Sequence, residues 1–140
     1  MMMMGFMPEV LIIISLMAFK VRKYEIWDVV NVPAFPNQEN PGETTGRPTI
    51  ILEDLEDSAV IFPITKQIDQ ASRYKYVILI DENSEEAKTM GLRFTSILIL
   101  DRAYSLPKMR LANVIGQCPD SIIVQIETLL EQAKMDGVKF

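Results

Sequence analysis

Thr49-Ile50-Ile51-Leu52 and Ala59-Val60-Ile61-Phe62-Pro63-Ile64 are two short apolar runs, held apart by Glu53-Asp54-Leu55-Glu56-Asp57-Ser58 with its four acids. Runs of this length, rich in β-branched residues and bounded by polar turns, read as strands. The pattern repeats outward. Ile26-Trp27-Asp28-Val29-Val30-Asn31-Val32 precedes it, and Tyr76 to Ile80, Ser96 to Leu100 and a less regular Met109 to Ile115 follow. Repeated short strands argue for a small barrel or a strongly bent sheet, so the body of the chain is mainly β. After Pro119 the period changes. Ile122, Ile123, Ile126, Leu129, Leu130 and Ala133 fall on one helical face, which predicts a C-terminal helix packed against the sheet. Asp120 or Ser121 is placed to cap its start, and Gly137 to end it in the left-handed conformation.

The 140 residues, 49% of them apolar and 24% charged, suit one domain with its own core. One cysteine, Cys118, rules out an intrachain disulfide framework and points to a reducing, cytoplasmic setting. It reads as a small buried residue beside Pro119. The absence of histidine excludes Ser/His and Cys/His nucleophile pairs and histidine-ligated zinc. Catalysis, where there is any, runs on carboxylates, Arg, Lys, Tyr or hydroxyls.

A net charge of −5 argues against clamping nucleic acid by bulk electrostatics. The charge is uneven, however. Acids gather in Glu53–Asp57 and Asp81–Glu86, whereas Lys88 to Arg110 carries five cations against Asp101 alone. A local basic face is open, and solvated turn charges are the simpler reading. Met1 to Phe19 differs from the rest, with Glu9 its single charge. It fits neither a transmembrane helix, being short and holding Gly5 and Pro8, nor a secretory signal, since Lys20, Arg22 and Lys23 come after the apolar run. We read 1–19 as an apolar extension, with translation starting at Met17 preferred over a membrane anchor, and 20–140 as one domain without stable membrane association.

Pro33 to Gly46 holds Pro33, Pro36, Pro41, Gly42 and Gly46, and structureless loops of this length in small domains are usually functional. Its end, Gly42-Glu43-Thr44-Thr45-Gly46-Arg47-Pro48, resembles the Gly/Glu loop and Arg-Pro strand entry of the MazF/PemK toxin endoribonucleases. Phe62-Pro63-Ile64-Thr65 is similar to that family's strand-ending motif, and Gly91-Leu92 with the strand to Leu100-Asp101 resembles its Gly-initiated strand running into an acid. The motifs keep the family's order over about Tyr24 to Leu130, which is stronger than any one of them.

The resemblance implies an SH3-like barrel of the MazF/PemK/CcdB type, a homodimer, with a C-terminal helix. It implies cleavage of single-stranded RNA by ribose 2′-OH attack, without metal or other cofactor, and control by a cognate antitoxin protein. By the same resemblance Arg47 is the catalytic arginine, Thr65 the hydroxyl at the scissile phosphate, and Asp101 the acid of some relatives. A guanidinium suits this chemistry because it is a permanent planar cation with paired donors for phosphorane oxygens. The bland alternatives are a strand-end surface charge for Arg47 and a hydroxyl bonded to its own backbone for Thr65. Glu43, Lys66, Arg73, Lys75 and Arg102 are the candidate RNA contacts, with Trp27, Phe35, Tyr74 and Tyr104 as stacking platforms. Around Asp101 the pattern departs: relatives carry arginines where this chain has Ile99 and Tyr104, and the loop is one residue short before Arg47. Two other readings compete, a catalytically silent SH3-like interaction module and a gyrase-poison-like inhibitor. The second relies on a Trp-Gly C-terminus, where this chain ends Asp136-Gly137-Val138-Lys139-Phe140.

Overall fold

The computed structural model describes residues 20–30 and 47–139. The strands are β1 (Glu25–Val29), β2 (Arg47–Asp54), β3 (Ser58–Thr65), β4 (Val77–Ile80), β5 (Ser96–Ile99), β6 (Tyr104–Pro107) and β7 (Leu111–Gln117). Helix α1 spans Glu85–Met90 and α2 Asp120–Met135, with 3₁₀ turns at Ile68–Arg73 and Lys108–Arg110. All seven strands belong to one sheet in the order β4-β5-β3-β2-β1-β7, with β6 also paired to β3. The first half of β3 pairs with β6 and its last two residues with β5, so β3 is the strand where the sheet bends.

Curvature follows from the connection between β6 and β7. Laid flat, the path β6-β3-β2-β1-β7 would be about 19 Å wide at the usual strand spacing. Pro107 to Leu111 spans at most about 14 Å of chain. The sheet therefore has to curl, bringing its edges together without closing them into one ladder. Lys108 pins the corner. It is 3% exposed, its Nζ lies 2.6 Å from Asp54 Oδ1, and its N–H donates to the Asp57 carbonyl at 3.0 Å.

Curling leaves two cores, one on each face. Ile26, Ile50, Phe62 and Ile64 point toward α2 and meet Ile122, Ile126 and Ala133 from its apolar stripe. Trp27, Val29, Ile51, Ile61, Leu106 and Leu111 fill the other side. The C-terminal helix stands as expected from its spacing, and Gly137 takes a left-handed φ of 93° behind it. Its start does not. Neither Asp120 nor Ser121 caps it; Pro119 occupies the cap position, and the Ser121 hydroxyl donates to Glu86 Oε2 at 3.1 Å.

Two elements escaped the sequence reading, β6 and α1. The acidic stretch after Ile80 forms a helix, because Ser84 Oγ caps Ala87 N at 3.1 Å and Gly91 ends it at φ 74°. Gly91-Leu92 is thus a helix stop and not the start of a strand. Gly116 on β7 lies against the end of this helix so closely that a Cβ would strike the Met90 carbonyl. Gly116→Ala is expected to destabilise the fold by about 3 kcal/mol, the upper range for overpacking, read as a lower urea midpoint at unchanged slope.

Candidate functional site

Arg47 opens β2 and pairs with Val29 of β1. On the other side the paired ladder ends at Thr49–Pro63, and the same register carried two residues further would set Arg47 opposite Thr65. Directly opposed residues share a face and bring their Cβ atoms to about 5 Å. Two positions eighteen apart in sequence, the first residue of β2 and the last of β3, are thus brought to the same end of the antiparallel pair. Thr49 secures this register: it is fully buried and its hydroxyl donates to the Trp27 carbonyl at 3.0 Å.

Thr65 is 5% exposed and its Oγ1 accepts from the Gln67 N–H at 3.1 Å, turning the chain away from β3. The bland role foreseen for this hydroxyl is therefore real. It uses an acceptor lone pair and leaves the O–H to donate. Lys66 follows, its Nζ 4.9 Å from the centre of the Phe94 ring.

Asp101 is engaged with the backbone. Thr65 faces Ile97, and Asp101 is four residues further along, up to about 13 Å at strand rise. Its oxygens accept from the backbone N–H groups of Lys75 at 2.9 Å and Tyr76 at 2.8 Å, so it clasps the entry to β4. Arg102 lies 5.3 Å from the Tyr104 ring, which pairs across from Ile61 on the Arg47 face. Burial first of all raises the Tyr104 hydroxyl above its ordinary value, with Arg102 opposing and Tyr74 close enough to add to the rise. Arg73 ends the 3₁₀ turn before Tyr74. Lys75 reaches Asp136 at the C-terminal end of α2 at 3.2 Å.

Trp27 is no platform. It packs in the second core with its indole N–H donating to Glu25 Oε1 at 3.1 Å. Phe35 and Glu43 lie outside the described residues, as does the 1–19 extension. Among the described residues no helix is long and apolar enough to cross a membrane, and no group of three His, Cys, Asp or Glu side chains could hold a metal ion. The cations of Lys88–Arg110 do not form one face. Lys88 pairs with Glu85, Lys108 is buried on Asp54, and Arg93 sits beside Asp28, whose carboxyl burial pushes up and Arg93 pulls back down. Arg110 does join the Arg47 margin, its carbonyl accepting from Val30 N–H at 3.0 Å.

Strand order, a late helix and an Arg/Thr pair at a sheet margin can be compared with known proteins. The family model of PemK-like, MazF-like toxins of type II toxin-antitoxin systems matches residues 25–133. The chain belongs to this toxin family. No curated protein sequence matches it. Its fold is similar to that of the Mycobacterium tuberculosis toxin MazF-mt6, at 17% identity and a TM-score of 0.55, covering 78% of this chain and 94% of that one. An endoribonuclease in complex with its cognate antitoxin, from a mycobacterial species, gives 13% identity and 0.53 over 86% and 96% of the two chains. A mycobacterial endoribonuclease gives 12% and 0.54 over 88% and 98%. The mainly β MazF/PemK fold with its C-terminal helix is thereby shown for this toxin.

Away from the margin, α2 is tied down by polar contacts. Asp136 accepts from the Tyr76 hydroxyl at 2.5 Å, from Lys75 and from Gln132, and these contacts hold its carboxyl below the usual carboxylate range. A depressed carboxyl stabilises the fold above its ordinary value near 4 and loses that contribution as pH falls through its folded value. Urea midpoints of the wild type should therefore drop more steeply than those of Asp136→Asn between about pH 4 and 2. Burial pushes the Cys118 thiol up to about 12, so alkylation at pH 8 should be slow in the folded toxin and fast in urea.

Proposed function

We propose that this MazF-like toxin is an endoribonuclease that cuts single-stranded RNA, mRNA above all, at the Arg47–Thr65 margin and so arrests growth. The observation that carries the reading is the Thr49–Pro63 pair, whose register, extended by two residues, would set Arg47 opposite Thr65. In the reaction the ribose 2′-oxygen attacks the adjacent phosphorus, the P–O5′ bond breaks, and a 2′,3′-cyclic phosphate and a 5′-OH end result. The 2′-OH proton leaves to solvent and the 5′-oxygen takes one up. Negative charge gathers on the non-bridging oxygens as attack proceeds. Arg47 meets it with paired charged donors, and the free Thr65 O–H donates a further bond to the same phosphate.

Asp101, with its oxygens on the Lys75 and Tyr76 amides, acts in this reading as a positioning residue for Tyr74 and Lys75 and takes no proton from the 2′-OH. Lys66 and Arg102 serve as phosphate contacts, Tyr104 and Tyr74 as stacking groups, and Glu43 as a loop contact. The toxin works as a cytoplasmic homodimer, without metal, restrained by an antitoxin segment that folds over the site, consistent with the mycobacterial endoribonuclease solved with its antitoxin.

The engagement of Asp101 also favours a second reading, a binding-only module. One assay separates the two. With EDTA present, single-stranded RNA should yield cyclic-phosphate and 5′-OH ends; Arg47→Ala should slow cleavage about a thousandfold and Thr65→Val about a hundredfold. Asp101→Asn should keep most of the chemistry while lowering the melting temperature. Uncut RNA with the wild type leaves the binding module, and full activity in Arg47→Ala overturns the Arg47 site.

A further inference from the structure

Gly91 to Thr95 joins α1 to β5 and is held by hydrogen bonds along most of its length. Leu92 is buried and its N–H donates to the Ala87 carbonyl at 2.9 Å. Thr95 Oγ1 accepts from Glu82 N–H at 3.1 Å, and Ser96 Oγ donates to the Phe94 carbonyl at 2.7 Å. On this stiff connection the Phe94 ring is 54% exposed. Its position joins it to the proposed site. Lys66, whose Nζ is 4.9 Å from the ring centre, directly follows Thr65, and Thr65 pairs with Ile97, three residues after Phe94.

A large apolar ring held outward by backbone bonds gains nothing for the core. Pinning lowers the entropy lost when a ligand stacks on it, and any nucleobase offers a π-face. The ammonium over the ring adds the second half of a nucleotide site, a mobile cation able to swing from the ring to a phosphate. We propose that Phe94 and Lys66 form a nucleotide subsite beside Arg47 and Thr65, the ring stacking on a base that neighbours the scissile phosphate and the ammonium neutralising that nucleotide's phosphate. This rests on the nuclease reading. Stacking tolerates every base, so the subsite supplies affinity and placement and leaves base choice to other contacts.

The full chain is titrated with single-stranded RNA made uncleavable by 2′-deoxy sugars and carrying 2-aminopurine at successive positions. Quenching at one nucleotide is expected with the wild type. Phe94→Ala should abolish it and weaken binding about tenfold, whichever base stands there, and Phe94→Trp should restore both. Lys66→Gln should reduce the salt slope of binding by about 0.7. Because Phe94 is exposed, an unchanged melting temperature is expected for Phe94→Ala. Wild-type affinity and retained quenching in Phe94→Ala overturn the subsite, while cleavage by the wild type leaves the nuclease reading standing. A wild type that binds no RNA overturns both.

Discussion

The register of β2 between β1 and β3 is the constraint on which the site depends. A slip of one residue would send Arg47 to the opposite face from Thr65. The slip is prevented because both faces of these strands are buried: Ile50 opposes Phe62 in one core and Ile51 opposes Ile61 in the other. Each of these side chains contributes roughly 1.5–3 kcal/mol through burial, and a shift would put all of them on wrong partners at once. Thr49 adds a directional lock, since its buried hydroxyl has the Trp27 carbonyl as acceptor only in this alignment. The hydrophobic cores and the placement of the guanidinium are thus one structural decision.

That decision explains what could be read from the sequence. Short β-branched runs gave away β1 to β5 because both faces of the sheet want apolar residues, and α2 announced itself by sustained helical spacing. Six-residue α1 turns inward only Ala87 and Met90, too few to show a period, and its acids look like any solvated turn. Tyr104–Pro107 is short, ends in proline and lies at a margin, so β6 carried no pattern either. β7 begins at Leu111 because Met109 and Arg110 are taken up by the 3₁₀ corner. That Arg47 and Thr65 stand at the same end of β2 and β3 follows from pairing between strands, which no linear spacing reveals. For Asp101 the motif gave the position, and its two amide contacts show only in the fold. Phe94 reads as core by composition, and only its exposure says otherwise.

Polar groups at strand entries here hold the backbone in place. Asp101 satisfies two amides that begin β4, and Asp136 ties the end of α2 to Tyr76 and Lys75 at that same entry. Lys108 does comparable service at the opposite corner, where the curled sheet would otherwise leave Asp54 beside an apolar wall. Removing one member of such a buried pair costs about 3 kcal/mol, at the low end because Asp54 keeps some contact with water. Charges committed to these roles are not available to a ligand. This is why a basic stretch in the sequence became scattered partners in the fold, leaving Arg47, Lys66 and Arg110 to the margin.

An acidic protein can still receive a polyanion there, and distance decides it. The acids from Glu53 to Asp57 stand at the far end of β2, with Asp54 up to about 23 Å from Arg47 at strand rise. The Debye length at physiological salt is about 8 Å, so most of their repulsion is screened before it reaches the margin. Lys108 neutralises part of the remainder at its source. In the proposed reading a phosphate at the margin meets Arg47 and Lys66 within one Debye length, and the local sign of charge, not the net −5, governs its approach. Because this attraction rests on few cations, it is weak by itself. In the proposed subsite, stacking on the Phe94 ring is the means of turning a brief encounter into a positioned strand.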